Sequence, residues 1–175
     1  MSSVTLILGG VRSGKSRLAE SLASETQLPV TYIATATLLD GEMTQRIALH
    51  RARRPVEWRL IEEPLRLARA VAENAAPGSC LLVDCLTLWL TNLLLAPEPQ
   101  QLAREREALL TLLTTLPGQI ILVSSESSMG IMPLGDLTRR YCDEAGHLHQ
   151  ELAQLSHRVI LTVAGLPLVL KGEKL

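Results

Sequence analysis

The sequence predicts an α/β fold in which helices cover both faces of a mostly parallel sheet. Short apolar runs alternate along the chain with longer amphipathic segments, which is the order expected of strand and helix units. Several short runs are apolar at every position, as strands are when both faces of their sheet are buried. A glycine-rich turn separates the first apolar run from the first amphipathic segment, and such turns join a strand to a helix in α/β proteins.

The strands are predicted from continuous or alternating apolar residues. Residues 56–61 alternate, which would place Val56, Trp58 and Leu60 on one face. The continuous runs predict strands at residues 4–8, 30–34, 80–83, 120–123 and 159–163. Residues 168–170 follow a turn at 165–167 and predict a final, antiparallel edge strand.

The helices are predicted from apolar residues three or four positions apart. Turn signals at Pro77-Gly78 and Pro117-Gly118 end two of them. The predicted helices are residues 15–25, 42–53, 65–74, 102–116 and 136–155. The apolar stretch 89–95 predicts a core helix or a subunit contact. The clearest stripe, in helix 136–155, consists of Leu137, Tyr141, Ala145, Leu148, Leu152 and Leu155.

Composition excludes several classes of protein. Hydrophobic residues make up 47% of the 175 residues and charged residues 20%, which is typical of a globular domain. The 17 basic and 18 acidic residues leave no basic surplus for nucleic acid. No apolar run is long enough to predict a membrane span. Three cysteines without a CxxC pair fit reduced thiols and a cytoplasmic protein.

The glycine-rich turn matches the phosphate-loop pattern GxxxxGK[ST] in full, so we expect a single P-loop nucleotide-binding catalytic domain over residues 1–175. Glycines allow successive backbone N–H groups to face phosphate oxygens, and the following helix adds its positive N-terminal dipole. Lysine places a charge on the terminal phosphates. The predicted phosphate-binding residues are Gly9, Gly10, Val11, Arg12, Ser13, Gly14, Lys15 and Ser16.

A magnesium ion is expected beside the phosphates. The Ser16 hydroxyl is one predicted ligand, and an acidic residue that closes an apolar strand should be the other. Asp84 follows such a strand, and Glu126 is a second acidic candidate near the site. The alternative for Asp84 is a solvated carboxylate at the end of a strand, and the alternative for Glu126 is a loop carboxylate.

The phosphate loop alone does not distinguish a kinase, an ATPase and a GTPase switch. The guanine-binding segment Asn-Lys-x-Asp of GTPase switches is absent from the sequence, which favours small-molecule kinases and their relatives. Arg46, His50, Arg53 and Arg54 share one face of the predicted helix 42–53. Arginines clamp phosphates, and neutral imidazole can attack phosphorus. From the residues alone, a single histidine such as His50 is more often a surface or supporting residue than a nucleophile.

The sequence resembles the bifunctional adenosylcobinamide kinase/adenosylcobinamide-phosphate guanylyltransferase family of cobalamin biosynthesis. Two segments are more specific than the phosphate loop: R-I-x-x-H-x-x-x-R-P-x-x-W, and V-x-x-E-x-x-x-G-I-x-P. The matching segments run through almost the whole chain: LGGVRSGKSR, YIATA, DGEMTQRIALHRARRPVEW, LVDCLTLWLTNLL, VSSESSMGIMP and residues 140–155.

The resemblance implies two reactions. A nucleoside triphosphate, ATP or GTP, would phosphorylate the hydroxyl of the aminopropanol arm of adenosylcobinamide. GMP would then pass from GTP to that phosphate through a covalent GMP–histidine intermediate at His50, giving adenosylcobinamide-GDP. Further nucleotide contacts implied by the resemblance are Ala34, Thr35, Ala36, Arg51, Ala52, Arg53, Arg54, Glu62 and Asp84. It also implies a homo-oligomer, a trimer, with active sites near subunit interfaces.

The residues also allow other interpretations. The chain could be a P-loop kinase for another small alcohol, with His50 dispensable, or a nucleotide-dependent binding module. His147 and His149 point apart on a helix and are expected to be solvated rather than to share a metal. Cys85 is expected to be a small buried residue rather than a nucleophile. Glu62 could be a solvated acid beside Glu63.

Overall fold

The computed structural model describes residues 3–36 and 55–174. The predicted helix 42–53 lies outside these residues. In chain order, the described elements are β1 (Ser3–Gly9), α1 (Lys15–Glu25), β2 (Val30–Ala34), β3 (Arg59–Glu62), α2 (Leu67–Asn74), β4 (Cys80–Asp84), α3 (Leu86–Leu95), α4 (Gln101–Leu113), β5 (Gln119–Ser125), α5 (Asp136–Leu155), β6 (Arg158–Val163) and β7 (Leu166–Lys171).

The described strands form one sheet in the order β3-β2-β4-β5-β1-β6-β7. Every neighbouring pair is parallel except β6 and β7, which are antiparallel. The predicted α/β class and the antiparallel edge strand are therefore confirmed. Strand β5 separates β1 from β4, so the glycine-rich turn after β1 and the aspartate that ends β4 lie two strands apart.

Alternate residues of the central strands pack into two cores on opposite faces of the sheet. On one face, α1 contributes Ala19, Leu22 and Ala23. On the other face, helices α2 to α5 pack together around Trp89, which is fully buried. The indole Nε1 of Trp89 donates a hydrogen bond of 2.9 Å to the carbonyl oxygen of Leu65. The apolar stretch 89–95 is thus part of a core helix.

Helix α5 has the predicted bounds, but the stripe is not buried along its whole length. Leu148 and Leu152 are buried against the sheet, whereas Leu137 is 50% exposed.

The predicted alternating strand 56–61 is wrong in part. Strand β3 begins only at Arg59, so Val56 lies before the strand and is fully exposed. The strand itself is short and mostly exposed, because it lies at the edge of the sheet and pairs with β2 alone.

No helix in residues 3–36 and 55–174 combines the length and the apolar character that crossing a membrane requires.

Replacing Leu148 by alanine should lower the free energy of unfolding by about 2–5 kcal/mol, because it leaves a cavity between α5 and the sheet. Urea unfolding followed by circular dichroism measures the change. Leu137→Ala, on the same helix but half exposed, is the matched control and should have a much smaller effect. Equal losses in the two variants would contradict this packing.

Candidate active site

The candidate site lies where the parallel strands end. The carboxyl ends of β3, β2, β4, β5 and β1 are neighbours in that order. Gly9, the last residue of β1, pairs with Ser125 at the end of β5, and Asp84 pairs with Ala34 and Val123. Parallel α/β sheets bind ligands at this edge, and the predicted nucleotide residues that the structure describes gather here.

The phosphate loop joins β1 to α1 in a conformation that few residues adopt. Arg12 and Gly14 have φ values of 56° and 96°, in the left-handed region. The Ser13 N–H donates to the Gly10 carbonyl at 3.2 Å, and the Gly165 N–H donates to the Ser13 carbonyl at 2.8 Å. Lys15 curls back, so that its Nζ donates to the Gly10 carbonyl at 3.1 Å. The loop is therefore held from within and by the β6–β7 turn.

The first turn of α1 retains backbone donors for an anion. The N-cap residue is Gly14, so no capping side chain accepts a hydrogen bond from the first N–H groups of the helix. The first N–H groups of a helix have no partner inside the helix, and they lie at the positive end of its dipole. Together with Lys15, they give the loop the donors and the charge that bind phosphate oxygens.

Tyr32, which was not predicted to be a site residue, positions the Asp84 side chain. The Tyr32 hydroxyl donates a hydrogen bond of 3.0 Å to Asp84 Oδ2. Tyr32 is 3% exposed, so its ring fixes the direction in which the hydroxyl points. Tyr32 thus orients the Asp84 carboxylate at the end of β4. No local sequence signal shows this pairing, because the two residues lie on different strands.

Thr35 and Asn92 connect three loops of the site. The fully buried Thr35 hydroxyl donates to the Cys85 carbonyl at 2.6 Å and accepts the Cys85 N–H at 3.1 Å. The Asn92 side-chain amide, from α3, donates to the carbonyls of Thr35 and Pro64 at 2.8 and 3.1 Å. The segments that follow β2, β3 and β4 are therefore fixed relative to one another, and Thr35 acts in this network through its side chain.

Glu62 and Glu63 have different surroundings. The Glu63 carboxylate accepts the N–H groups of Leu65 and Arg66 at 3.0 and 2.8 Å, so it holds the turn before α2. Glu62 ends β3 beside Ala34 and is exposed. Glu63 is therefore engaged by the backbone of this turn, whereas Glu62 lies at the edge of the sheet where the strands end.

A partly buried polar cluster lies beside the phosphate loop. The Glu126 N–H donates to the Gly9 carbonyl at 2.9 Å. Glu126 Oε1 accepts hydrogen bonds from the N–H and hydroxyl of Ser128, and Oε2 lies 3.7 Å from His149 Nδ1. The other ring nitrogen of His149 is 2.7 Å from Ser124 Oγ. Glu126 is thereby fixed between the phosphate loop and α5.

The expected solvation of His149 is wrong. His149 is 7% exposed and packs under the end of β5. Burial lowers the pKa of His149, against the opposing effect of the Glu126 carboxylate. Burial would raise the pKa of Glu126, but the Ser128 hydrogen bonds and the neighbouring His149 together outweigh it and lower that pKa. The cluster at neutral pH therefore contains a neutral imidazole and a carboxylate, while His147 is exposed as expected.

Cys85 is not activated as a nucleophile. Burial, with a smaller effect of the neighbouring Asp84 charge, raises the pKa of the Cys85 thiol to about 11. The thiol is therefore protonated at neutral pH, and only a thiolate attacks readily. The protonated thiol agrees with the expectation that Cys85 is not a nucleophile, although the residue is half-buried rather than buried.

The remaining predicted residues lie outside the described part of the chain. These are His50, Arg51, Ala52, Arg53 and Arg54. The described residues contain no group of three or more His, Cys, Asp or Glu side chains arranged to hold a metal. One hydroxyl and one carboxylate, from Ser16 and Asp84, instead match the preference of Mg²⁺ for few protein oxygens completed by substrate phosphates.

The phosphate loop and the strand order define a nucleotide-using protein of the P-loop class. A model of the cobinamide kinase / cobinamide phosphate guanyltransferase family matches residues 5–170. The bifunctional adenosylcobalamin biosynthesis protein CobP of Pseudomonas aeruginosa is 65% identical over 170 residues, which cover 97% of this chain and 98% of its own. The bifunctional adenosylcobalamin biosynthesis protein CobU of Escherichia coli is 36% identical over 179 residues, which cover 95% of this chain and 98% of the CobU chain. The chain therefore belongs to the cobinamide kinase / cobinamide phosphate guanyltransferase family.

A solved structure from Pyrococcus horikoshii is similar in fold. The two structures align with a TM-score of 0.54 and 12% sequence identity, and the aligned part covers 98% of this chain and 87% of the Pyrococcus chain. At that identity, the likeness concerns the fold alone.

Gly9→Ala should disturb the phosphate loop. The new Cβ would overlap Ser13 Oγ and lie 2.7 Å from the Thr162 carbonyl oxygen. We expect a loss of about 1–3 kcal/mol in stability and GTP binding weakened about tenfold or more, measured by thermal unfolding and titration calorimetry. Gly10→Ala is the matched control for stability, since a Cβ there meets no protein atom within 4 Å. Wild-type stability and affinity in Gly9→Ala would contradict the described loop.

The buried His149 should make the protein less stable as the pH falls. Because burial lowers its folded-state pKa, the unfolded chain binds more protons below about pH 6.5, and the free energy of unfolding decreases there. Urea unfolding at about pH 7.5 and 5.5 measures the slope. His149→Asn should reduce the slope, and His147→Asn, at an exposed site, should not. Equal slopes in wild type and His149→Asn would show that His149 titrates normally.

Proposed function

We propose that this enzyme phosphorylates the hydroxyl of adenosylcobinamide with ATP or GTP, and then transfers GMP from GTP to the resulting phosphate. Family membership over residues 5–170 is the observation that carries this proposal. The names of the CobP and CobU relatives, both described as bifunctional, support two activities in one chain.

The kinase step relies on positioning and charge. The phosphate-loop amides and Lys15 would hold the β- and γ-phosphates, so that the substrate hydroxyl can attack the γ-phosphorus in line. Ser16 and the Tyr32-oriented Asp84 would hold Mg²⁺, which when bound neutralises charge on the phosphates. The bond between the γ-phosphorus and the bridging oxygen breaks, the nucleoside diphosphate leaves with the electron pair of that bond, and the hydroxyl proton is released to solvent.

The guanylyl transfer is proposed to use His50. An imidazole nitrogen would attack the α-phosphorus of GTP, the bond to the β-phosphate oxygen would break, and pyrophosphate would leave. The phosphate of the first product would then attack the same phosphorus and release the histidine. Arg46, Arg53 and Arg54 would neutralise charge that builds on the α-phosphate. Arg51 and Ala52 would add further nucleotide contacts, as the resemblance to the family implies.

Guanine selection is proposed at the end of β3. The Glu62 carboxylate could accept the N1 and N2 hydrogens of guanine. Its exposure beside Ala34, and the use of Glu63 in the turn before α2, support Glu62 over its neighbour. Ala34 and Ala36 would form the adjoining wall of the nucleotide site, and Thr35, which is fully buried between them, would hold that wall in place through Cys85 and Asn92. A homo-oligomer, a trimer by resemblance to the family, is also proposed.

The covalent step predicts a labelled protein. Incubation with Mg²⁺ and GTP labelled at the α-phosphate should leave label that acid releases and alkali does not, as expected for a phosphorus–nitrogen bond. GTP labelled at the γ-phosphate should leave none. His50→Ala should lose the label completely, and His147→Ala, at an exposed position, should keep it.

Two results would overturn parts of this proposal. Unlabelled wild-type protein that still binds GTP and phosphorylates adenosylcobinamide would leave a kinase without guanylyl transfer. Label retained in His50→Ala would place the covalent bond on another residue.

A further inference from the structure

An apolar loop is exposed next to the phosphate loop. It comprises residues 129–134 and follows β5 by a few residues. Met129, Ile131, Met132 and Leu134 are 75%, 99%, 56% and 94% exposed. No charged residue lies between Glu126 and Asp136. A group of large apolar side chains in solvent is unusual and marks an interaction site.

The start of this loop is fixed at the phosphate site. Glu126, three residues before Met129, donates its N–H to the carbonyl of Gly9, the first residue of the phosphate loop, at 2.9 Å. Ser128, immediately before Met129, donates its N–H to Glu126 Oε1 at 2.6 Å. The apolar loop therefore begins three residues after a direct contact with the phosphate loop.

The far end of the loop is fixed as well. The Arg139 guanidinium, from α5, donates to the carbonyl oxygens of Pro133 and Leu134 and pairs with Asp136. The Arg139 N–H donates to the Gly135 carbonyl at 2.9 Å. The backbone is thus tied at both ends while the apolar side chains point away from the protein, which is an arrangement suited to an external ligand.

We propose that the 129–134 loop binds the corrin macrocycle of the acceptor. This inference rests on the proposed function and names the substrate-binding surface for it. The acceptor must bring the hydroxyl of one flexible arm to the phosphate loop, so its macrocycle must lie close by. Methyl groups on the ring edge offer apolar area to Ile131 and Leu134, and the two methionines can adapt to an irregular ring.

The continuity of the loop with the phosphate site favours the acceptor over a second copy of the chain. A ligand that reacts at the phosphate loop has to contact whatever surface adjoins it. A subunit contact could lie elsewhere, for example at the exposed apolar residues Leu166, Leu168 and Leu170 of β7.

The test compares Ile131→Ser and Leu134→Ser with wild type in three assays. The first is the steady-state kinetics of phosphorylation at varied adenosylcobinamide. The second is GMP labelling of the protein by α-labelled GTP without acceptor, and the third is mass by analytical ultracentrifugation. Leu95→Ser is the control, because Leu95 is 57% exposed at the far end of α3.

Each loop variant should raise the KM for adenosylcobinamide about tenfold or more, since apolar area no longer meets the ring. Labelling by GTP, the mass and all properties of Leu95→Ser should stay at wild-type values. An unchanged KM would overturn the inference. So would a changed mass, which would make the loop a subunit contact, or reduced labelling, which would indicate damage to the nucleotide site. Wild-type protein without either activity would instead refute the proposed function and this inference with it.

Discussion

The parallel arrangement of the strands is the constraint on which the rest of the structure depends. It brings the carboxyl ends of β1 to β6 to one edge, so that the loops after them share one site. Because β5 lies between β1 and β4, the phosphate loop and Asp84 are about 10 Å apart across the sheet. Glu126, directly after β5, stands between them. The order of the strands thus sets the spacing of the chemical groups before any side chain is considered.

Side chains from the helices then fix the loops. Asn92 of α3 donates to the backbone after β2 and β3, and Thr87 of the same helix accepts the Ser125 N–H at 2.7 Å. His149 of α5 supports the residues at the end of β5. Buried backbone groups need partners, and here the partners belong to helices whose apolar faces are packed in the core. The stability of the core and the shape of the site are therefore coupled.

Particular elements show where sequence reasoning succeeds and where it fails. Helix α5 was predictable to the residue, because its apolar positions recur every three or four residues over twenty residues. The residues before β3 were predicted wrongly as part of that strand. An alternation of apolar and polar residues implies a buried face only where a second layer covers the strand. Val56 has no such cover. For His149, spacing shows that it points away from His147, but not that its side is the one packed under β5.

The sequence by itself determined the α/β class, the phosphate loop, most strand and helix positions and the resemblance to the family. These depend on local chemistry, on hydrophobic spacing and on contiguous residues. Only the tertiary structure decided the strand order, the Tyr32–Asp84 pair, the Asn92 bridges and the burial of His149. Tyr32 and Asp84 are 52 positions apart, and Asn92 is 57 positions from Thr35. Such contacts arise when strands pair and helices pack, and no local pattern records them.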